Sequence, residues 1–68
     1  MQNRTLTRET WLQAAKDAGV KLEVLAAATG KSYSAVYRYS NGSRNPSDEW
    51  LGQVAAVIAA EAARRAAA

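Results

Sequence analysis

The sequence predicts a small all-α domain of four helices, of which the last is the longest. Apolar residues recur at helical spacing in four segments, and no segment shows the alternation typical of a half-buried strand. Glycine or a cluster of polar residues separates each segment from the next. The 68-residue chain contains no cysteine. Helix packing without disulfides must therefore stabilise one small domain.

The first helix is expected over residues 7–18, after a flexible arm of residues 1–6. Thr7 suits the N-cap position because its hydroxyl can accept an orphan backbone N–H. Four residues at helical spacing should face the core: Trp11, Leu12, Ala15 and Ala18. Gly19 suits the left-handed conformation that commonly ends a helix.

The second helix is expected over residues 21–28. Three residues form its inner face: Leu22, Leu25 and Ala26. Its alanines are short, so another helix can approach closely. Gly30 then supplies positive φ for an abrupt turn, which predicts a helix, a tight turn and a helix at the centre of the chain.

The third helix is expected over residues 32–40, with Ser32 as its N-cap. Val36 and Tyr39 lie about 60° apart at about 100° per residue, so they should anchor this helix to the core. Four residues fall within an arc of about 140° on a different side and should face outward: Tyr33, Ser34, Tyr37 and Arg38.

The fourth helix is expected over residues 46–65. Pro46 suits the first helical position with Asn45 as N-cap, and Ser47 is the alternative cap. Gly52 is interpreted as a point of close contact. The inner face is expected to contain Trp50, Leu51, Val54, Val57 and Ile58. The alanine-rich segment beyond them contains no helix breaker, so no separate fifth helix is predicted.

The positive charge is concentrated in residues 31–45. This segment contains three cations and no acid: Lys31, Arg38 and Arg44. It accounts for the whole net charge of +3, because the cations and acids elsewhere balance. Such a local excess attracts phosphate or acidic partners. The alternative is an ordinary solvated face.

Residues 21–58 resemble the helix-turn-helix DNA-binding domains of phage repressor and Cro proteins. The resemblance is carried by Leu25-Ala26, Gly30, Val36 and Tyr39, and by SNGSRNPS before an apolar helix. In that family the alanine lets two helices cross closely and the glycine makes the turn. The positions that match Val36 and Tyr39 pack underneath.

Three features depart from the family pattern. Lys31 follows the turn glycine, where the family usually has an apolar residue. Leu22 stands where the family often starts its helix with a polar residue that touches the DNA backbone, and Lys21 can substitute for it. The family's fifth helix is also missing. These departures bear more on dimer geometry than on the fold.

The resemblance implies that the third helix is the recognition helix of the pair. Such a helix enters the major groove, where each base pair shows a distinct set of donors and acceptors. The expected base-contacting residues are Tyr33, Ser34, Tyr37 and Arg38. Arg38 can donate two bonds to guanine or can grip a phosphate. The tyrosines can place a ring against a thymine methyl or a hydroxyl against base or phosphate. Their alternative role is a surface or dimer contact.

Phosphate contacts are expected on both sides of this helix. The loop that follows it resembles the family's phosphate-binding loop. The expected phosphate-contacting residues are Lys21, Lys31, Ser32, Asn41, Ser43 and Arg44. Such contacts fix the register of a protein on DNA without carrying sequence information.

The expected function is a sequence-specific, double-stranded DNA-binding transcriptional regulator of Cro or repressor type. We expect it to be phage-encoded, to lie in the bacterial cytoplasm and to act by occupying an operator. A palindromic operator would take a homodimer, or a monomer that dimerises on DNA, with half-sites about 34 Å apart. The expected self-contact is the fourth helix with its alanine-rich extension, and the alternative is a monomer whose tail frays.

The alternative function is a protein-interaction adaptor on a helix-turn-helix fold, such as an antitoxin or a phage packaging subunit. An enzyme is not expected, because histidine and cysteine are absent and no carboxylate pair or phosphate loop is evident. No cofactor or metal is expected for the same reason. The sequence contains neither an apolar run long enough to span a membrane nor the apolar stretch of a signal peptide.

Overall fold

The computed structural model describes residues 6–67, which fold into four α-helices without a strand in that range. The helices are α1, Trp11–Asp17; α2, Leu22–Thr29; α3, Tyr33–Ser40; and α4, Asp48–Ala67. α2 packs on α3, and α4 packs on both α1 and α2. The predicted all-α fold of four helices with a long last helix is therefore confirmed.

The start of α1 differs from the prediction. The Thr7 carbonyl accepts hydrogen bonds from the backbone N–H groups of Thr10 and Trp11, each at 3.1 Å. The Thr10 hydroxyl accepts one from the Thr7 N–H at 2.9 Å. These bonds close a turn before α1, which places Thr10 at the N-cap position without a side-chain cap bond. The Thr7 hydroxyl does accept an orphan backbone N–H as predicted, from Glu9 at 3.2 Å, but it caps this turn and α1 begins later than predicted. Of the predicted arm, residues 1–5 lie outside the described residues, and Leu6 packs against the core.

The core is one cluster that draws on all four helices. Its buried apolar residues are Trp11, Ala15, Val20, Leu25, Ala26, Val36, Trp50, Leu51 and Val54. Partly buried residues pack around it, among them Leu12, Ala18, Leu22, Tyr39, Val57 and Ile58. Every predicted core residue lies in or against this cluster.

Trp50 connects the four helices. Its ring meets Trp11 of α1 edge to face, with centroids 5.0 Å apart and planes at 85°. It meets Tyr39 of α3 at 4.8 Å and 53°. Its indole Nε1 donates a hydrogen bond to the Thr29 hydroxyl of α2 at 3.0 Å. One side chain at the start of α4 therefore contacts each of the other three helices.

α4 begins after Ser47, which the sequence predicts as the alternative N-cap. The Ser47 hydroxyl accepts a hydrogen bond from the Trp50 N–H at 3.1 Å, and the Ser47 carbonyl accepts one from the Leu51 N–H at 3.0 Å. Ser47 is therefore the N-cap, and the prediction of Asn45 as cap with Pro46 as first helical residue is wrong. Pro46 is instead buried in the segment before the helix.

α4 continues without a break to Ala67, two residues beyond the predicted end. No fifth helix occurs within residues 6–67. Gly52 is exposed, and a side chain there would meet no atom within 4 Å. The expected close contact at Gly52 is therefore wrong.

Candidate functional site

The tight turn between α2 and α3 determines where α3 begins. Gly30 adopts φ +74°, a left-handed conformation that glycine takes without strain. The Lys31 N–H then bonds the Ala26 carbonyl at 3.1 Å and closes the end of α2. The Ser32 hydroxyl accepts the Ala35 N–H at 3.1 Å, which confirms Ser32 as the N-cap of α3.

Two residues on the inner face of α3 anchor this helix to the core, as the sequence predicts. Val36 is fully buried. Tyr39 is partly buried and packs on Trp50. These anchors fix the rotation of α3 about its own axis, so the opposite face is presented to solvent.

All four predicted base-contacting residues are exposed on that opposite face. They are Tyr33, Ser34, Tyr37 and Arg38. Tyr33 and Tyr37 are about half exposed, at 54% and 51%. Their rings stack with centroids 6.4 Å apart and planes at 21°. The helix that carries these side chains is eight residues long, or about 12 Å.

The loop after α3 is folded by its own side chains. The Asn41 Oδ1 accepts hydrogen bonds from the Ser43 backbone N–H, at 2.9 Å, and from the Ser43 hydroxyl. The Arg44 N–H bonds the Arg38 carbonyl at 3.2 Å. The amide nitrogen of Asn41 and the guanidinium of Arg44 therefore remain outward donors. Ser43 has both of its donors engaged within the loop, so in this conformation it donates nothing to a phosphate.

The other predicted phosphate-contacting residues lie at both ends of α3. Lys31 and Ser32 precede its first turn. Lys21 is exposed at the start of α2 and lines a groove of about 510 Å³ together with Ser40, the last residue of α3. Exposed donors therefore lie near both ends of α3.

The charge of this region is not neutralised within the described residues. Both ion pairs found in residues 6–67 belong to Glu61 on α4, which pairs with Arg64 and Arg65. The Arg64 hydrogen bond is the main reason that the pKa of Glu61 lies below its ordinary value. Within the same residues, no ion pair engages Lys21, Lys31, Arg38 or Arg44, although Glu49 lines the same groove as Lys31. These cations can therefore attract an anionic ligand.

Sequence reasoning missed Thr29 as part of the support for this site. Its hydroxyl donates to the Leu25 carbonyl at 2.7 Å and accepts from Trp50, next to the turn glycine. Thr29 and Trp50 are 21 positions apart, and no local pattern signals such a pair. Lys16 was also missed. It lines the same groove as Lys21, and its positive charge is the only feature of the sequence that could have indicated a place beside the other cations.

No family model, curated protein or solved structure matches the chain. None of the helices within residues 6–67 is long and apolar enough to cross a membrane. In the same part of the chain, no three acidic, histidine or cysteine side chains come together in a way that would hold a metal.

Proposed function

We propose that this protein is a sequence-specific, double-stranded DNA-binding transcriptional regulator that acts by occupying an operator. One observation carries the proposal. The face of α3 opposite its buried anchors presents four outward side chains, and exposed residues with hydrogen-bond donors lie at both ends of the helix. This arrangement suits a helix that lies in the major groove with phosphates on either side.

Each part of the arrangement has a distinct role in this proposal. Arg38 donates two bonds to guanine O6 and N7, and Ser34 bonds a neighbouring base edge or the backbone. Lys21, Lys31 and Arg44 neutralise phosphates. The remaining phosphate donors are the Ser32 hydroxyl, the Asn41 amide nitrogen and Ser43, whose hydroxyl must first turn away from Asn41.

A regulator of this size acts best as two copies on a palindromic operator, because one domain makes few contacts. We propose α4 as the self-contact. Its segment beyond Ile58 is exposed at most positions. The copies either form a homodimer in solution or pair on DNA. A phage origin and a bacterial cytoplasmic location belong to the same proposal.

The test is selection of bound sequences from a random duplex pool, followed by affinity measurements across a salt series. We expect an enriched palindromic sequence whose affinity falls steeply with salt, in proportion to the phosphates neutralised. No affinity for any duplex at about 50 mM salt would refute the proposal. It would favour the adaptor function, in which the same face meets a protein.

Arg38→Ala then separates base contact from phosphate contact. We expect it to relax the preference at one position of each half-site by about 1–3 kcal/mol. Arg8→Ala is the matched control, because Arg8 is exposed, carries the same charge and lies before α1. Equal weakening of all sequences by Arg38→Ala would make Arg38 a phosphate contact instead.

A further inference from the structure

The outward face of α3 is divided into two columns of different chemistry. Tyr33 and Tyr37 are four residues apart and form an aromatic column. Ser34 and Arg38 are four residues apart and form a hydrogen-bonding column, turned from the first by about 100°. A ligand that covers this face therefore meets apolar rings along one line and donors along the next.

The aromatic column is one continuous surface. The two phenol rings are nearly parallel at 21°, and their centroids are 6.4 Å apart. About half of each side chain is exposed. The column is therefore about as long as two base-pair steps at about 3.4 Å each. Stacking also limits the ring rotamers, so a flat ligand meets a surface that is already formed.

The major groove offers one apolar feature to such a surface, the C5-methyl group of thymine. Polar base edges would lose water against the rings without gaining an equivalent partner. A methyl group loses no hydrogen bond there and gains about 0.8 kcal/mol when buried. The ring surfaces therefore favour thymine over the other bases.

We infer that the Tyr33–Tyr37 column selects thymine methyl groups in each half-site, beside the guanine taken by Arg38. This inference rests on the proposed function and names the sequence feature that the same site recognises. The phenol hydroxyls are secondary in this assignment, because the contact is made by the ring surfaces.

The test replaces thymine by deoxyuridine, one position at a time, in the duplex enriched by selection. Deoxyuridine keeps every hydrogen-bonding group and lacks only the methyl. We expect about four-fold weaker binding for each lost methyl that the column contacts. Deoxyuridine outside the half-sites is the control and should leave the affinity unchanged.

Protein variants assign the effect to the rings. Tyr33→Phe and Tyr37→Phe keep the rings and should keep the four-fold preference for thymine over uracil. Tyr33→Ala and Tyr37→Ala should reduce or abolish it at separate positions. Neither tyrosine belongs to the buried core, so thermal unfolding followed by circular dichroism should show that all four variants fold.

The outcomes distinguish this inference from the proposed function. Sequence-specific duplex binding with equal affinity for thymine and uracil at every position would overturn the inference alone. So would phenylalanine variants that lose the preference as fully as the alanine variants, because the hydroxyls would then make the contact. Absence of duplex binding at low salt would overturn the proposed function and the inference together.

Discussion

The hydrogen bond between Trp50 and Thr29 predicts a measurable loss of stability on Thr29→Val. Valine keeps the shape of threonine but removes the hydroxyl that accepts from the Trp50 Nε1 at 3.0 Å and donates to the Leu25 carbonyl. A buried donor left without a partner costs about 1–3 kcal/mol. A polar groove of about 180 Å³ borders Thr29 and Trp50, so water can reach the indole and the lower half of that range applies.

We therefore expect Thr29→Val to reduce the free energy of unfolding by about 1–2 kcal/mol. For a domain of this size the loss lowers Tm by roughly 4–16 °C. The assay is urea and thermal unfolding followed by circular dichroism. Thr29→Ser is the matched control, because it keeps the hydroxyl and should retain most of the stability.

A double-mutant cycle with Trp50→Phe isolates the bond itself. Phenylalanine keeps an aromatic ring against Trp11 and Tyr39 but removes the indole N–H. We expect a coupling energy of about 0.5–1.5 kcal/mol between the two sites. Additive effects, or a loss below about 0.3 kcal/mol for Thr29→Val, would refute the view that this bond fastens the turn to α4.

Four further predictions concern α4 and the glycine turns. Gly30→Ala should cost about 1–2 kcal/mol of unfolding free energy from its positive φ. Gly19→Ala should cost about the same from its φ of +75°, because the Arg65 guanidinium that a Cβ there would meet is the end of a long, exposed side chain and can move aside; Arg65→Ala should therefore leave that cost nearly unchanged. Gly52→Ala should stabilise α4 by about 1 kcal/mol, since Gly52 is helical with open space around it. Because Arg64 holds the pKa of Glu61 below its ordinary 4.5, this pair stabilises the end of α4 above that pH. A carboxyl NMR titration should show the lowered pKa of Glu61, and the stabilisation should be lost as pH falls through that pKa.

The local signals in the sequence were sufficient where one interpretation had no competitor. Ser32 was the one good cap before α3, and the spacing of Val36 and Tyr39 allowed only one inner face. At α4, Asn45 with Pro46 competed with Ser47, and local preference favoured the wrong pair. Ser47 is the cap in the structure, and this register places Trp50 at the third helical position, where its ring reaches the core.

The candidate site was predictable as a surface but not in its internal bonding. All ten proposed DNA-contacting residues are exposed. This exposure was predictable because helical periodicity and loop composition both indicate which residues are buried. The hydrogen bonds between side chains were not predictable in this way. The Asn41 side chain engages both donors of Ser43, and Thr29 meets Trp50 across 21 positions. Composition alone could not distinguish a donor that faces outward from one already used.

The location of the two tryptophans has a consequence for optical spectroscopy. Trp11 and Trp50 are both 1% exposed and lie in mutual contact, while the aromatic side chains on the outward face of α3 are tyrosines. Indole emission and the near-ultraviolet signal of the coupled rings therefore report on the integrity of the core. Excitation selective for tryptophan follows unfolding, whereas a ligand on α3 leaves that signal unchanged as long as the core stays intact. In a single sample, the tryptophan signal thus reports on folding, and the signal of the tyrosines reports on a ligand bound to the outward face of α3.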